Sequence, residues 1–231
     1  MSGRPPATLA EEGAYGGRVD VAYRTEVGHV RTRNEDAVLA RPERGVLAVA
    51  DGLGGHPAGD VASLTTVRHL DESGLDGRAG AEDLLAAAHS AHRAVLSAAA
   101  DDPERLGMGT TLVLAVVDGS SARVVHVGDS RAYLLDADAT LRPLTRDHGM
   151  HGYLTQALGL DRDVEPDVTV VDCPPGSRLL LCTDGLTNMV DDRDLGGLLG
   201  RGSAQEACDA LVQAALDAGG VDNVSVVVAS F

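Results

Sequence analysis

Aromatic residues are nearly missing from this chain. It has no tryptophan, one phenylalanine and four tyrosines among 231 residues. Hydrophobic residues still make up 44%, so any core must be aliphatic, built from Val, Leu and Ala. No apolar run approaches the ~18–20 residues that a membrane-spanning helix needs. Residues 1–17 carry Pro5 and Pro6 and several glycines but no apolar stretch of signal-peptide type. They are expected to form a disordered tail ahead of one domain over 18–231, and the expected compartment is the cytoplasm.

Cysteine is also scarce. Cys173, Cys182 and Cys208 are odd in number and lack CxxC spacing, which argues against a disulfide framework or a zinc site and points to reduced core thiols. Thiol-based phosphatases need an arginine six residues after the cysteine. Leu179, Asn188 and Ala214 occupy those positions, so that mechanism is excluded. Positive charge is the third shortage: 19 Lys plus Arg face 35 Asp plus Glu, a net charge of −16. Such a field repels nucleic acid and anionic lipid, which require clustered cations.

What is present is a run of short apolar segments punctuated by turns. Val19–Thr25, Ala37–Ala40 and Val46–Ala50 read as strands. Asp60–Leu70 and Glu82–Ala100 read as helices, the second with an apolar stripe of Leu84, Leu85, Ala88, His92 and Val95. His89 and His92, one turn apart, are read as helix-surface residues and not as metal ligands. Thr111–Val117, Ala122–Val127 and Ala132–Leu135 read as an antiparallel meander with turns at Asp118-Gly119-Ser120 and Gly128-Asp129-Ser130. Strands at Val168–Val171 and Arg178–Cys182, helices at Asp191–Leu199 and Ala204–Ala218, and a strand at Val224–Ala229 complete the chain. Many antiparallel strands with a few long helices imply an α+β fold. The expected architecture is a four-layer α-β-β-α sandwich, with two mainly antiparallel sheets face to face and helices outside.

Three apolar strands carry an aspartate beside a small or polar residue at one end: Asp51-Gly52, Thr183-Asp184-Gly185 and Asp222-Asn223. One Asp-Gly alone reads as a turn. Three carboxylates at sheet ends are able to converge, and with no Cys or His beside them they suit hard cations such as Mg2+ or Mn2+. A divalent ion also removes their mutual repulsion. Arg31, five residues before Asp36, suits bidentate phosphate binding through its planar fork, although a charged surface turn has the same spacing.

The segments Gly28-His29-Val30-Arg31-Thr32-Arg33-Asn34-Glu35-Asp36 and Asp51-Gly52-Leu53-Gly54-Gly55-His56 resemble the type 2C metal-dependent serine/threonine protein phosphatases in their bacterial form. Further along stand Met108-Gly109-Thr110-Thr111, Val127-Gly128-Asp129-Ser130-Arg131 and Leu144-Thr145-Arg146-Asp147-His148. Leu154-Thr155-Gln156-Ala157-Leu158-Gly159, Thr183-Asp184-Gly185-Leu186-Thr187 and Gly220-Val221-Asp222-Asn223-Val224-Ser225 follow in the family's order. The resemblance implies hydrolysis of phosphoserine and phosphothreonine by a water activated between two divalent cations. Asp51 would bridge both metals and Gly52 would add its backbone carbonyl. Asp184 and Asp222 would each bind one ion. Glu35 and Asp36 would act partly through coordinated waters, and Arg31 would hold the phosphate. Asp129 matches a position for a third, weaker metal, and Asn223 would orient its neighbour. The implied partners are phosphorylated proteins, Ser/Thr kinases among them, and the implied state is a monomer.

Two departures from the pattern matter. Leu53 stands where animal members carry a histidine proposed as general acid, and His56 is read as a loop-packing residue rather than its substitute. Only Gly149-Met150-His151-Gly152-Tyr153 replaces the helical flap of bacterial relatives, which implies an open, shallow site and weaker third-metal binding. Two other readings stay open. One is the same chemistry acting on an anti-sigma-factor antagonist. The other is a non-catalytic phosphoprotein-binding module, against which the retained Asp51, Asp184 and Asp222 argue.

Overall fold

A computed structural model describes residues 7–10, 13–15, 19–53, 58–150, 153–160 and 163–231. Strands run over Ala7–Ala10 (β1), Gly13–Tyr15 (β2), Val19–Glu26 (β3), Asp36–Arg41 (β4) and Val46–Asp51 (β5). Two helices, Gly59–Glu72 (α1) and Ala81–Ala100 (α2), follow. Next come Leu112–Val117 (β6), Ser121–Val127 (β7), Arg131–Leu135 (β8), Leu141–Pro143 (β9), Gly149–Met150 (β10), Tyr153–Leu154 (β11), Asp167–Asp172 (β12) and Arg178–Cys182 (β13). Helices Asp184–Thr187 (α3), Asp192–Leu199 (α4) and Ala204–Asp217 (α5) precede the last strand, Val224–Ser230 (β14).

One sheet has the order β1-β4-β5-β6-β7-β12 and the other β2-β3-β14-β13-β8-β9. Every pairing in them is antiparallel except β1 with β4. Side chains alternate across each strand, so β4, β5 and β6 are apolar on both faces. Val38, Leu47 and Val113 meet Leu134, Leu179 and Val227 between the sheets. Leu39, Ala48 and Leu114 point the other way, onto Val67 and Leu70 of α1 and Leu84 and Ala88 of α2. On the far side, Leu180, Val226 and Val228 pack against Leu195 of α4 and Leu211 and Val212 of α5. The four-layer α-β-β-α sandwich is therefore present, with an aliphatic centre.

Three local expectations change. The segment read as a meander is split: β6 pairs with β7, but β8 belongs to the other sheet beside β13. Gly128, at φ 108°, is held against Thr111, and its carbonyl accepts the His148 amide at 2.7 Å. The chain thus crosses between sheets at Gly128-Asp129-Ser130 instead of turning back. Within the stretch expected to be disordered, 7–10 and 13–15 are strands, the first adding to β4 and the second to β3. His92 is buried, not on the helix surface, and its Nδ1 accepts the Gly159 amide at 3.1 Å. All three cysteines are buried and free, as expected. Among the described residues no helix is long and apolar enough to cross a membrane.

Candidate metal-binding active site

Asp51 ends β5, and Asp36, its cross-strand partner, opens β4. Asp184 opens α3 directly after β13, and Asp222 lies two residues before β14. The crossover between the sheets carries Asp129. All five carboxylates therefore stand at one end of the sandwich, where strands of both sheets stop. The loop before β4 is tied to this end by Asn223. Its Nδ2 donates to the carbonyls of Val27 and Arg33, both at 2.9 Å, and its Oδ1 accepts the Glu35 amide at 2.8 Å.

Close backbone approaches assemble the rest. A Cβ on Gly185 would collide with the Asn223 carbonyl, and one on Gly52 with the carbonyls of Gly59 and Glu35. Both positions therefore demand glycine. The Gly52 amide donates to the Glu35 carbonyl at 3.2 Å. The Asp51 carbonyl accepts the Thr111 amide and the Thr110 hydroxyl, each at 2.8 Å, so this strand end is fixed.

Asp36 is 1% exposed. Its Oδ2 accepts hydroxyl hydrogens from Ser225 at 2.6 Å and Thr183 at 2.9 Å. Its Oδ1, also buried, has no hydrogen-bond partner. Burial, outweighing the two hydroxyls and reinforced by Asp184 and Asp222, pushes its carboxyl up to about 7. Asp51 is raised well above the ordinary carboxylate range, first by burial and then by Asp36 and Asp184. A hydrogen bond joins Asp51 and Asp184. It raises the Asp51 carboxyl further and draws that of Asp184 down. Asp184, also raised by burial, accepts from Asn188 Nδ2 at 3.0 Å. Burial and then Asp184 push Asp129 up to about 6. Glu35 is buried and likewise raised by burial, against the nearby Arg33 at 3.0 Å.

Arg31 reaches this group at its rim. Its Nη2 lies 2.7 Å from Asp222 Oδ2, and the Asp222 hydrogen bond raises the guanidinium further above its already high value. Carboxylates held together at this cost, with one buried oxygen lacking any donor, form the environment that a hard cation completes. Among the described residues, no three of these carboxylates place ligand atoms all within 4.8 Å of one another.

The match to known proteins follows this geometry. Residues 27–219 match the family model described as protein phosphatase 2C. The chain belongs to the protein phosphatase 2C family. It is 38% identical over 235 residues to the serine/threonine protein phosphatase PstP of Mycobacterium tuberculosis, an alignment covering 90% of this chain and 44% of that protein. It therefore spans under half the length of that relative. It is 35% identical to the serine/threonine phosphatase stp of Listeria welshimeri, covering 88% of this chain and 92% of that one. The solved catalytic domain of PstP, in complex with two manganese ions, superposes with a TM-score of 0.83 at 36% identity, covering 92% of this chain and 97% of that one.

Each site residue expected from the protein phosphatase 2C resemblance lies at this end of the sandwich. Gly52 forms an isolated β-bridge with Thr110. His56 lies outside the described residues. In place of a helical flap, β10 and β11 form a two-stranded hairpin. The hydroxyl residues that support these aspartates, Thr183 and Ser225 on the Asp36 carboxylate and Thr111 on the Asp51 amide, were given no role from sequence. Small hydroxyls interrupting apolar strands beside an Asp-Gly step were the available signal.

Proposed function

We propose that this chain is a protein serine/threonine phosphatase that removes phosphate from phosphoserine and phosphothreonine with the help of two Mn2+ or Mg2+ ions. The reading rests on one observation above all: Asp36, Asp51, Asp184 and Asp222 crowd together with a buried carboxylate oxygen that has no donor among the described residues. Asp51 would be the ligand shared by both ions, with the Gly52 carbonyl beside it, and Asp184 and Asp222 would each hold one ion. Glu35 and Asp36 would act partly through coordinated waters, and Asp129 would be the ligand for a third, weaker ion.

When bound, such ions supply an ionised water at neutral pH and neutralise charge building on the phosphoryl oxygens. The chain's own residues do the rest. Arg31 hands part of its hydrogen-bonding fork from Asp222 to the incoming phosphate and orients it. The Thr183 and Ser225 hydroxyls keep Asp36 in place, and Asn223 fixes the loop that carries Arg31. The buried cysteines and the missing C-x5-R arrangement argue against a covalent phosphoenzyme on sulfur. The partners on this reading are proteins phosphorylated by Ser/Thr kinases, the kinases among them, met in the cytoplasm by a monomer.

The test is phosphate release from phosphothreonine and phosphoserine peptides and from p-nitrophenyl phosphate. Activity in Mn2+ that EDTA abolishes is expected. Hydrolysis that ignores EDTA would overturn the metal mechanism. Tight phosphopeptide binding without hydrolysis under any divalent ion would make the chain a binding module.

A further inference from the structure

A second potential ligand group lies outside the carboxylate site. His126, near the end of β7, and Asp167, opening β12, are direct cross-strand partners, so the pleat sends both side chains to the same face. His148, from the loop after β9, packs its ring on that of His126 with centroids 4.2 Å apart. One ligand atom from each of the three residues lies within 4.8 Å of the other two. Among the described residues this is the only such trio of His, Cys, Asp or Glu.

Independent of that spacing, the His126 ring is already set up as a ligand. It is 1% exposed. Its Nε2 lies 3.0 Å from the Gly128 carbonyl, which only accepts, so Nε2 carries the hydrogen. The lone pair is then on Nδ1, and Nδ1 is buried with no hydrogen-bond partner among the described residues. A metal-ligating histidine characteristically donates its other ring N–H to a backbone carbonyl, which fixes the tautomer. Burial lowers the His126 pKa and favours the neutral, ligating form. His148 offers Nε2 beside Asp167 Oδ2 at 3.2 Å. Its Nδ1 faces the Gly128 amide at a long 3.3 Å, a weak contact that the ring gives up when Nε2 ligates and the proton moves to Nδ1. Asp167 is largely exposed, and a cavity of about 310 Å³ lined by His126, Asp167 and Thr169 opens beside the group. Solvent and a fourth ligand have access. Arg146 lines the same cavity and opposes an ion there.

We propose that His126, His148 and Asp167 form a binding site for one transition-metal cation of the Zn2+ type, separate from the carboxylate site. Two imidazoles and one carboxylate with an open fourth position are a zinc donor set, whereas the acidic end of the sandwich suits harder ions. A cation here would clamp the edge strand β12 to the Gly128 crossover that carries Asp129. The proposal does not depend on the phosphatase reading.

The test is equilibrium dialysis of the full chain against Zn2+ in a large excess of Mg2+, with bound zinc counted by elemental analysis. Wild type is expected to retain one Zn2+ that Mg2+ does not displace, and Asp51→Asn to retain it as well. Asp167→Asn, at an exposed position tolerant of change, and His126→Asn should each weaken retention at least about tenfold. Co2+ in place of zinc should give a d–d absorption band that Asp167→Asn removes. No Mg2+-resistant zinc, or zinc retained equally in Asp167→Asn and His126→Asn, would overturn the proposal.

Discussion

The middle of the sandwich and its acidic end obey opposite rules. Between the sheets, Leu47, Val113, Leu179 and Val227 are fully buried in a largely aliphatic layer, and each such group contributes roughly 1.5–3 kcal/mol on burial. A few residues along the same strands, Asp36 and Asp51 are drawn out of water next to charges of their own sign. Burial stabilises the first region and destabilises the second. Folding free energy is therefore gathered in the centre, and part of it holds the end in an arrangement that only a bound cation relieves.

Variants separate the two regions. Asp51→Asn is expected to lower phosphate release by about 10³-fold, while a melting curve of the metal-free protein shows no loss of stability, because a repelling group is gone. Leu47→Ala should do the reverse. It is expected to cost about 2–5 kcal/mol in urea unfolding, with the activity of the folded fraction preserved. A large destabilisation by Asp51→Asn would break the contrast.

The pH dependence follows from the same contrast. Asp36 sits at about 7 in the folded chain against 3.8 as its ordinary value, so between those values the folded metal-free protein holds a proton that the unfolded chain has released. Its stability should fall as pH rises from about 4 to about 7, by on the order of 4 kcal/mol if Asp36 acted alone. Mn2+, replacing the proton, should flatten that slope, as urea titrations at pH 5 and pH 8 would reveal. Smaller effects follow at the loop. Asn223→Ala leaves the Glu35 amide and two carbonyls unpaired and should cost about 1–3 kcal/mol. Arg31→Ala removes a half-exposed ion pair, so stability should move by under about 1 kcal/mol while kcat/KM falls roughly 10- to 100-fold through a lost charged hydrogen bond to phosphate.

Legibility in the sequence divided along the same line. The apolar strands and long helices were readable because alternation and helical stripes are local signals; Arg178–Cys182 was placed to the residue. Asp51, Asp184 and Asp222 were singled out because each ends or precedes an apolar strand, Arg31 was weighed as a phosphate ligand against a surface turn, and the family resemblance added Glu35, Asp36 and Asp129. Their arrangement was not readable, since pairings such as Ser225 with Asp36 span 189 residues. The crossing of the chain at Gly128 into the second sheet was missed because a tight hairpin and a sheet-to-sheet step share the same Gly-Asp-Ser signal. His126 and His148 gave no signal at all. They are 22 residues apart in sequence, and only the β7–β12 register brings Asp167 to them.

The most direct test is a count of Mn2+ ions by isothermal titration and electron paramagnetic resonance, in wild type and in Asp51→Asn. Two ions per chain with the exchange coupling of a bridged pair, and loss of that coupling in the variant, are predicted. Two magnetically isolated ions, or binding that Asp51→Asn leaves untouched, would contradict a centre built around one shared carboxylate.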